Sequence, residues 1–141
     1  MSKISIYFLF TGLFLFTYSC KSAEEKKAEE LKLKVEQIHD NLMMKTEDLI
    51  KLRTELAKSS NQSGNMIQRS KVKVTIGLIN AAESFMEDWM KFYGDNKPTL
   101  EDSIDDSIGF YEKQIKELER MEKQMDEALE KGKEWVEKLK K

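Results

Sequence analysis

Residues 31–56 read LKLKVEQIHDNLMMKTEDLIKLRTEL. Their apolar members Leu31, Val35, Ile38, Leu42, Leu49, Leu52 and Leu56 are separated by steps of 4, 3, 4, 7, 3 and 4. Steps of three and four place side chains on one face of an α-helix, so the stretch reads as a coiled-coil seam with one polar intrusion at Lys45. The charged residues ahead of Leu31 bury nothing and can extend the same helix upstream. The pattern therefore predicts a first helix over about 23–58, ended by the turn formers from Ser59 to Asn65.

Downstream, Met66, Val74, Leu78, Ala81, Ala82, Phe85, Trp89 and Phe92 suggest the apolar face of a second helix over about 66–93. Gly94 is placed to cap it, and Asp95-Asn96-Lys97-Pro98 follows as a connection. Thr99 then offers an N-cap, with Glu101 and Asp102 suited to the positive end of a helix dipole. The third helix, about 99–140, carries Ile104, Ile108, Tyr111, Ile115, Leu118, Met121 or Glu122, Met125, Leu129, Val136 and Leu139, and Gly109 is a candidate bend. Two short connections favour folding back over three separate strands. The expected fold is all-α, an up-down-up three-helix bundle with coiled-coil-like packing across residues 31–141. In that register His39 faces Phe85 and Met86 of the second helix and roughly Ile108 of the third, with Trp135 at the other end, near Leu56 and the start of the second helix.

Composition agrees. The 141 residues are 35% charged with a formal net charge of −2, and they include one Pro, six Gly, one Cys and one His. So few turn formers argue against a β-sandwich, and one Cys with one His cannot build a zinc finger or a disulfide framework.

The N-terminus has a different character. Lys3 is followed by Ile4–Phe16, thirteen residues interrupted only by Ser5, Thr11 and Gly12, and then by Thr17-Tyr18-Ser19-Cys20. Thirteen helical residues reach about 20 Å, short of a hydrocarbon core of about 30 Å, so the segment reads as a cleaved export signal over 1–19. A small residue directly before Cys20 resembles the bacterial lipoprotein signal, and the resemblance implies that Cys20 is lipidated and becomes the mature N-terminus. Residues 20–30 then form a charged tether, and the domain sits in the cell envelope, on the periplasmic face or the cell surface. Lys21 with Glu24 and Glu25 also resembles the surface-export tag of Bacteroidetes lipoproteins. Ile38-His39-Asp40-Asn41-Leu42-Met43-Met44-Lys45, taken with Ala81-Ala82-Glu83-Ser84-Phe85-Met86-Glu87-Asp88-Trp89-Met90-Lys91-Phe92, resembles a family of small helical Bacteroidetes lipoproteins often labelled "viral A-type inclusion protein". That family implies an exported helical protein with no assigned activity and brings no functional residues with it.

Few side chains suggest chemistry. His39 with Met43, and Met86 with Met90, place soft or borderline ligands one turn apart, a donor set suited to copper(I) or haem. Met121 and Met125 repeat that spacing without a His, which favours packing, so no cofactor is expected. His39-Asp40 lacks a nucleophile at any recognisable motif, so no enzyme activity is expected. Arg69, Lys71 and Lys73 make too short a basic run for nucleic acid. Phe92 and Tyr93 cannot both point inward, so one belongs to an exposed contact patch. The sequence thus predicts an anchored structural or interaction module whose partner is a helical protein or a second copy, with a copper- or haem-binding bundle as the alternative.

Overall fold

The computed structural model describes residues 22–62, 65–99 and 101–140. The expected signal at 1–19 and the lipidation site Cys20 lie outside the described residues. Three helices account for nearly all of what is described: α1 (Ala23–Gln62), α2 (Met66–Asn96) and α3 (Ile104–Leu139).

Local chemistry sets each start. Ser22 opens α1 through a reciprocal capping box, its Oγ accepting from the Glu25 N–H at 3.1 Å while Glu25 Oε2 accepts from the Ser22 N–H at 2.7 Å. Asn65 caps α2 by accepting from the N–H groups of Ile67 and Gln68 at 2.9 and 3.2 Å. That cap satisfies orphan donors at an end where the cations of the first turns oppose the dipole. At α3 the cap is Ser103, accepting from the Asp106 N–H at 3.1 Å, and not Thr99. Thr99 instead closes a turn of its own. Its N–H and hydroxyl both donate to the Asp102 carboxylate, which holds that carboxyl below its ordinary pKa.

The helix ends differ from the sequence pattern for physical reasons. α1 continues four residues past Lys58, because Ser59 and Ser60 are half-buried within the helix instead of turning away. α2 passes through Gly94 without a left-handed residue and stops at Asn96. The stop comes from Pro98, which drives Lys97 into extended backbone at φ −60 and ψ 140, while the Lys97 N–H still bonds the Tyr93 carbonyl at 2.9 Å. α3 is continuous through Gly109.

Contacts fix the topology. α1 and α3 run parallel, since Lys27 pairs with Glu112 at 2.9 Å, Lys45 with Glu122 at 2.9 Å and Glu55 with Lys140 at 3.0 Å. α2 runs against both, because Arg53 reaches Asn80 and Glu83, and Trp89 reaches Gln114. The result is an up-down-up bundle.

Its core is one continuous seam. α1 contributes Val35, Leu42, Leu49, Leu52 and Leu56, and α3 contributes Tyr111, Ile115, Leu118, Met121, Met125, Ala128 and Val136. The polar intrusion at Lys45 is an inter-helix clamp, its Nζ lying 2.9 Å from Glu122 and 2.6 Å from Asp126. Burial alone would lower the pKa of this ammonium, and the two carboxylates outweigh that and raise it. Gly132 lets α1 and α3 close together, since a Cβ there would stand 2.3 Å from Leu52 Cδ2.

The face of α2 is where the sequence pattern misleads. The buried residues are Val72, Thr75, Ile79, Ala82, Met86 and Trp89, an unbroken heptad of threes and fours. Thr75 is tolerated there because its hydroxyl donates back to the Lys71 carbonyl at 3.2 Å. Of the residues expected on this face, Ala82 and Trp89 are buried, while Met66, Val74, Leu78, Ala81, Phe85 and Phe92 are exposed.

Candidate functional site

The cleft between α1 and α2 combines most of the unusual side chains. Val35, Glu36 and His39 form one wall, and Trp89, Met90, Tyr93 and Gly94 the other, around a largely apolar space of about 250 Å³. The His39 ring stacks on Trp89 at 5.5 Å, and Trp89 stacks on Tyr93 at 4.9 Å. Tyr93 continues to Phe110 at 5.8 Å, which meets Tyr111 edge-on at 5.7 Å. A ladder of rings therefore crosses all three helices near the Lys97–Ser103 connection.

Trp89 holds this ladder in place. Its indole N–H donates to Gln114 Oε1 at 2.9 Å inside the core, which satisfies both groups and fixes the ring plane against which His39 lies. His39 Nδ1 also lies 3.2 Å from Asp40 Oδ1, a contact between adjacent residues of α1. Asp40 is exposed, so the pair lies at the rim of the cleft.

The expected soft-ligand set is split. His39 and Met90 line the same cleft, Met86 is fully buried in the core, and Met43 lies on the exposed surface of α1. Among the described residues no group of three or more His, Cys, Asp and Glu is placed to hold a metal ion. The patch expected at Phe92 and Tyr93 is divided too. Tyr93 turns into the ladder and is half-buried, while Phe92 stays outward and stacks on Phe110 at 6.4 Å.

Burial, followed by the charges of Tyr111 and Glu36, pushes the Tyr93 phenol up to about 12. Burial and Glu36 also raise Tyr111. A raised folded-state value means that the neutral phenol is favoured in the bundle. That contribution to stability is complete below the ordinary phenol pKa of about 10 and is lost as pH climbs toward 12. A Tyr111→Phe variant of residues 22–141 retains Tyr93 as its single tyrosine. With the Tyr111 charge gone, burial and Glu36 still hold this phenol up, so its phenolate absorbance should rise with a midpoint above the ordinary value of about 10, and a midpoint at that ordinary value would show that the ring is not packed in the cleft.

Two features of the site escaped the sequence pattern. Gln114 is polar and so was not expected in a core, although its spacing from Tyr111 and Leu118 puts it on the α3 seam. The outward stripe of α2 was read as core, because its members share helical spacing with the buried seam. Comparison with known proteins finds no match for this chain among protein families, curated proteins or solved structures.

Proposed function

We propose that this chain is a lipid-anchored helical lipoprotein of the bacterial cell envelope with a structural or protein-interaction role. The observation that carries the reading is the position of Cys20. It is the single cysteine of the chain, and it lies at the boundary between the apolar run Ile4–Phe16 and the charged residues that follow. Each buried CH₂ of an acyl chain contributes about 0.8 kcal/mol, so two or more chains on that sulfur and the new amino terminus hold a domain firmly. Among the described residues no helix is long and apolar enough to cross a membrane, so the reading assigns attachment to the N-terminal segment. The interaction role rests on the exposed apolar stripe of α2 and on the absence of any recognisable reactive constellation in the sequence. The resemblance to the small helical lipoproteins of Bacteroidetes supports the same address.

The test is expression of the full chain in a bacterium, comparing it with Cys20→Ser. The native chain should shift to the mass of an acylated protein beginning at residue 20 and partition with membranes. Cys20→Ser should retain the precursor mass and lose acylation. An unmodified Cys20 in a cleaved, freely released protein would overturn the anchor.

A further inference from the structure

The outward stripe of α2 is a second heptad seam, about a third of a turn around the helix from the first. Ile67, Val74, Leu78, Ala81, Phe85 and Phe92 are its apolar members, separated by steps of 7, 4, 3, 4 and 7. The two sevens are filled by Lys71 and Asp88, which complete an uninterrupted run of fours and threes. This sequence of steps reads the same in both directions.

The seam is open to solvent along its length. Ile67 is 69% exposed, Val74 65%, Leu78 40% and Phe85 and Phe92 45% each. Beside it, two hollows of about 250 and 290 Å³ run between α2 and α3. Their α2 walls include Leu78, Ala81, Phe85, Phe92 and the charged Asp88, and their α3 walls include the polar residues Gln124, Glu127, Lys113 and Arg120. An apolar strip with a polar rim is the anatomy of a protein contact.

Charge and size identify the occupant. We propose that this seam pairs antiparallel with the same seam of a second copy of the chain. A two-fold axis at the level of Ile79 and Asn80 sets each member against one in the other copy whose number brings the sum to 159. Leu78 then meets Ala81, Val74 meets Phe85 and Ile67 meets Phe92, so a large residue faces a smaller one at each apolar layer. The remaining layer sets Lys71 against Asp88. Within the chain Lys71 lies 6.0 Å over the Trp135 ring, and neither it nor Asp88 has an ion-pair partner among the described residues. One opposite-charge pair in an otherwise apolar seam sets register and direction. A parallel pairing would instead set Lys71 against Lys71 and Asp88 against Asp88. An isologous contact requires such a self-complementary patch. The inference supplies the partner for the interaction role proposed above but needs no lipid, so it stands or falls independently of Cys20.

Sedimentation equilibrium on residues 22–141, which contain the whole described core, tests it. The native protein should dimerise within the micromolar to millimolar range. Lys71→Glu and Asp88→Lys should each raise the dimer Kd at least about tenfold, and the double swap should restore it, with helicity by circular dichroism unchanged throughout. Phe85→Glu should leave a folded monomer. A native monomer across the range would overturn the pairing. So would a dimer indifferent to the charge swaps, or one that the double swap does not rescue.

Discussion

Ile79→Ala is expected to destabilise the bundle by about 2–5 kcal/mol, and Leu78→Ala by under about 1 kcal/mol in the monomer. The two residues are adjacent and equally apolar, so the difference isolates which seam faces the core. Ile79 is 0% exposed and packed within the heptad Val72-Thr75-Ile79-Ala82-Met86, so its truncation leaves a cavity that flanking helices can only partly fill. Leu78 is 40% exposed, and its removal deletes surface that water already wets. For a domain whose whole stability is of order 5–15 kcal/mol, the first change is a large fraction of the total. Urea unfolding followed by circular dichroism measures both. Equal losses, or a greater loss at Leu78, would mean that α2 is rotated from the orientation described here.

Arg53→Met should cost about 1–3 kcal/mol, because it strips a donor from a partly buried carboxylate. Arg53 Nη1 donates to Asn80 Oδ1 at 2.9 Å and to Glu83 Oε2, tying α1 to α2. The other oxygen, Glu83 Oε1, is buried without a hydrogen-bond partner, so this carboxylate depends on the guanidinium for its compensation. Glu83→Met alone removes the buried charge and leaves Arg53, which is the more exposed of the two, to hydrate. The double change should recover most of what Arg53→Met loses, since two apolar side chains replace a pair whose desolvation was imperfectly offset. Additive losses in the double-mutant cycle would show that the two side chains are not coupled.

How much of the structure the sequence carries differs from helix to helix. α1 was legible because it has a single apolar seam with one interruption, and Lys45 still occupies a seam position, with its charge drawn out to Glu122 and Asp126. α3 was nearly as clear, with Gln114, Ala128 and Gly132 missed because a small or polar residue gives no apolar signal even at a core position. α2 was illegible in detail because two heptads share one helix. The pattern drew Ala82 and Trp89 from the inner seam and Leu78, Phe85 and Phe92 from the outer, and periodicity alone cannot say which seam a neighbour covers.

The candidate cleft was displaced by one turn for a related reason. With α1 ending at Lys58, the turn centre sets His39 against Phe85. Helix continuing through residues 59–62 moves that centre two residues along the chain, and Trp89 arrives instead. The α3 register shifted further, since Lys34 lies near Glu119 and Lys45 pairs with Glu122, so the His39 level falls well past Ile108. Trp135 does lie by the start of α2, under Lys71.

The parallel run of α1 and α3 makes the molecule a strut. Its N-terminal end shares one pole with the Lys97–Ser103 connection, as the cleft joining Ala28, Lys32, Pro98 and Tyr111 shows, and Lys140 stands at the opposite pole beside Glu55. The 36 residues of α3, at about 1.5 Å each, put roughly 50 Å between those poles. A group fused at the C-terminus would ride at that reach from whatever holds residue 22. In an antiparallel pair the two held ends point away from each other. Two acylated copies so joined would have to lie along one bilayer or connect two bilayers, rather than stand side by side.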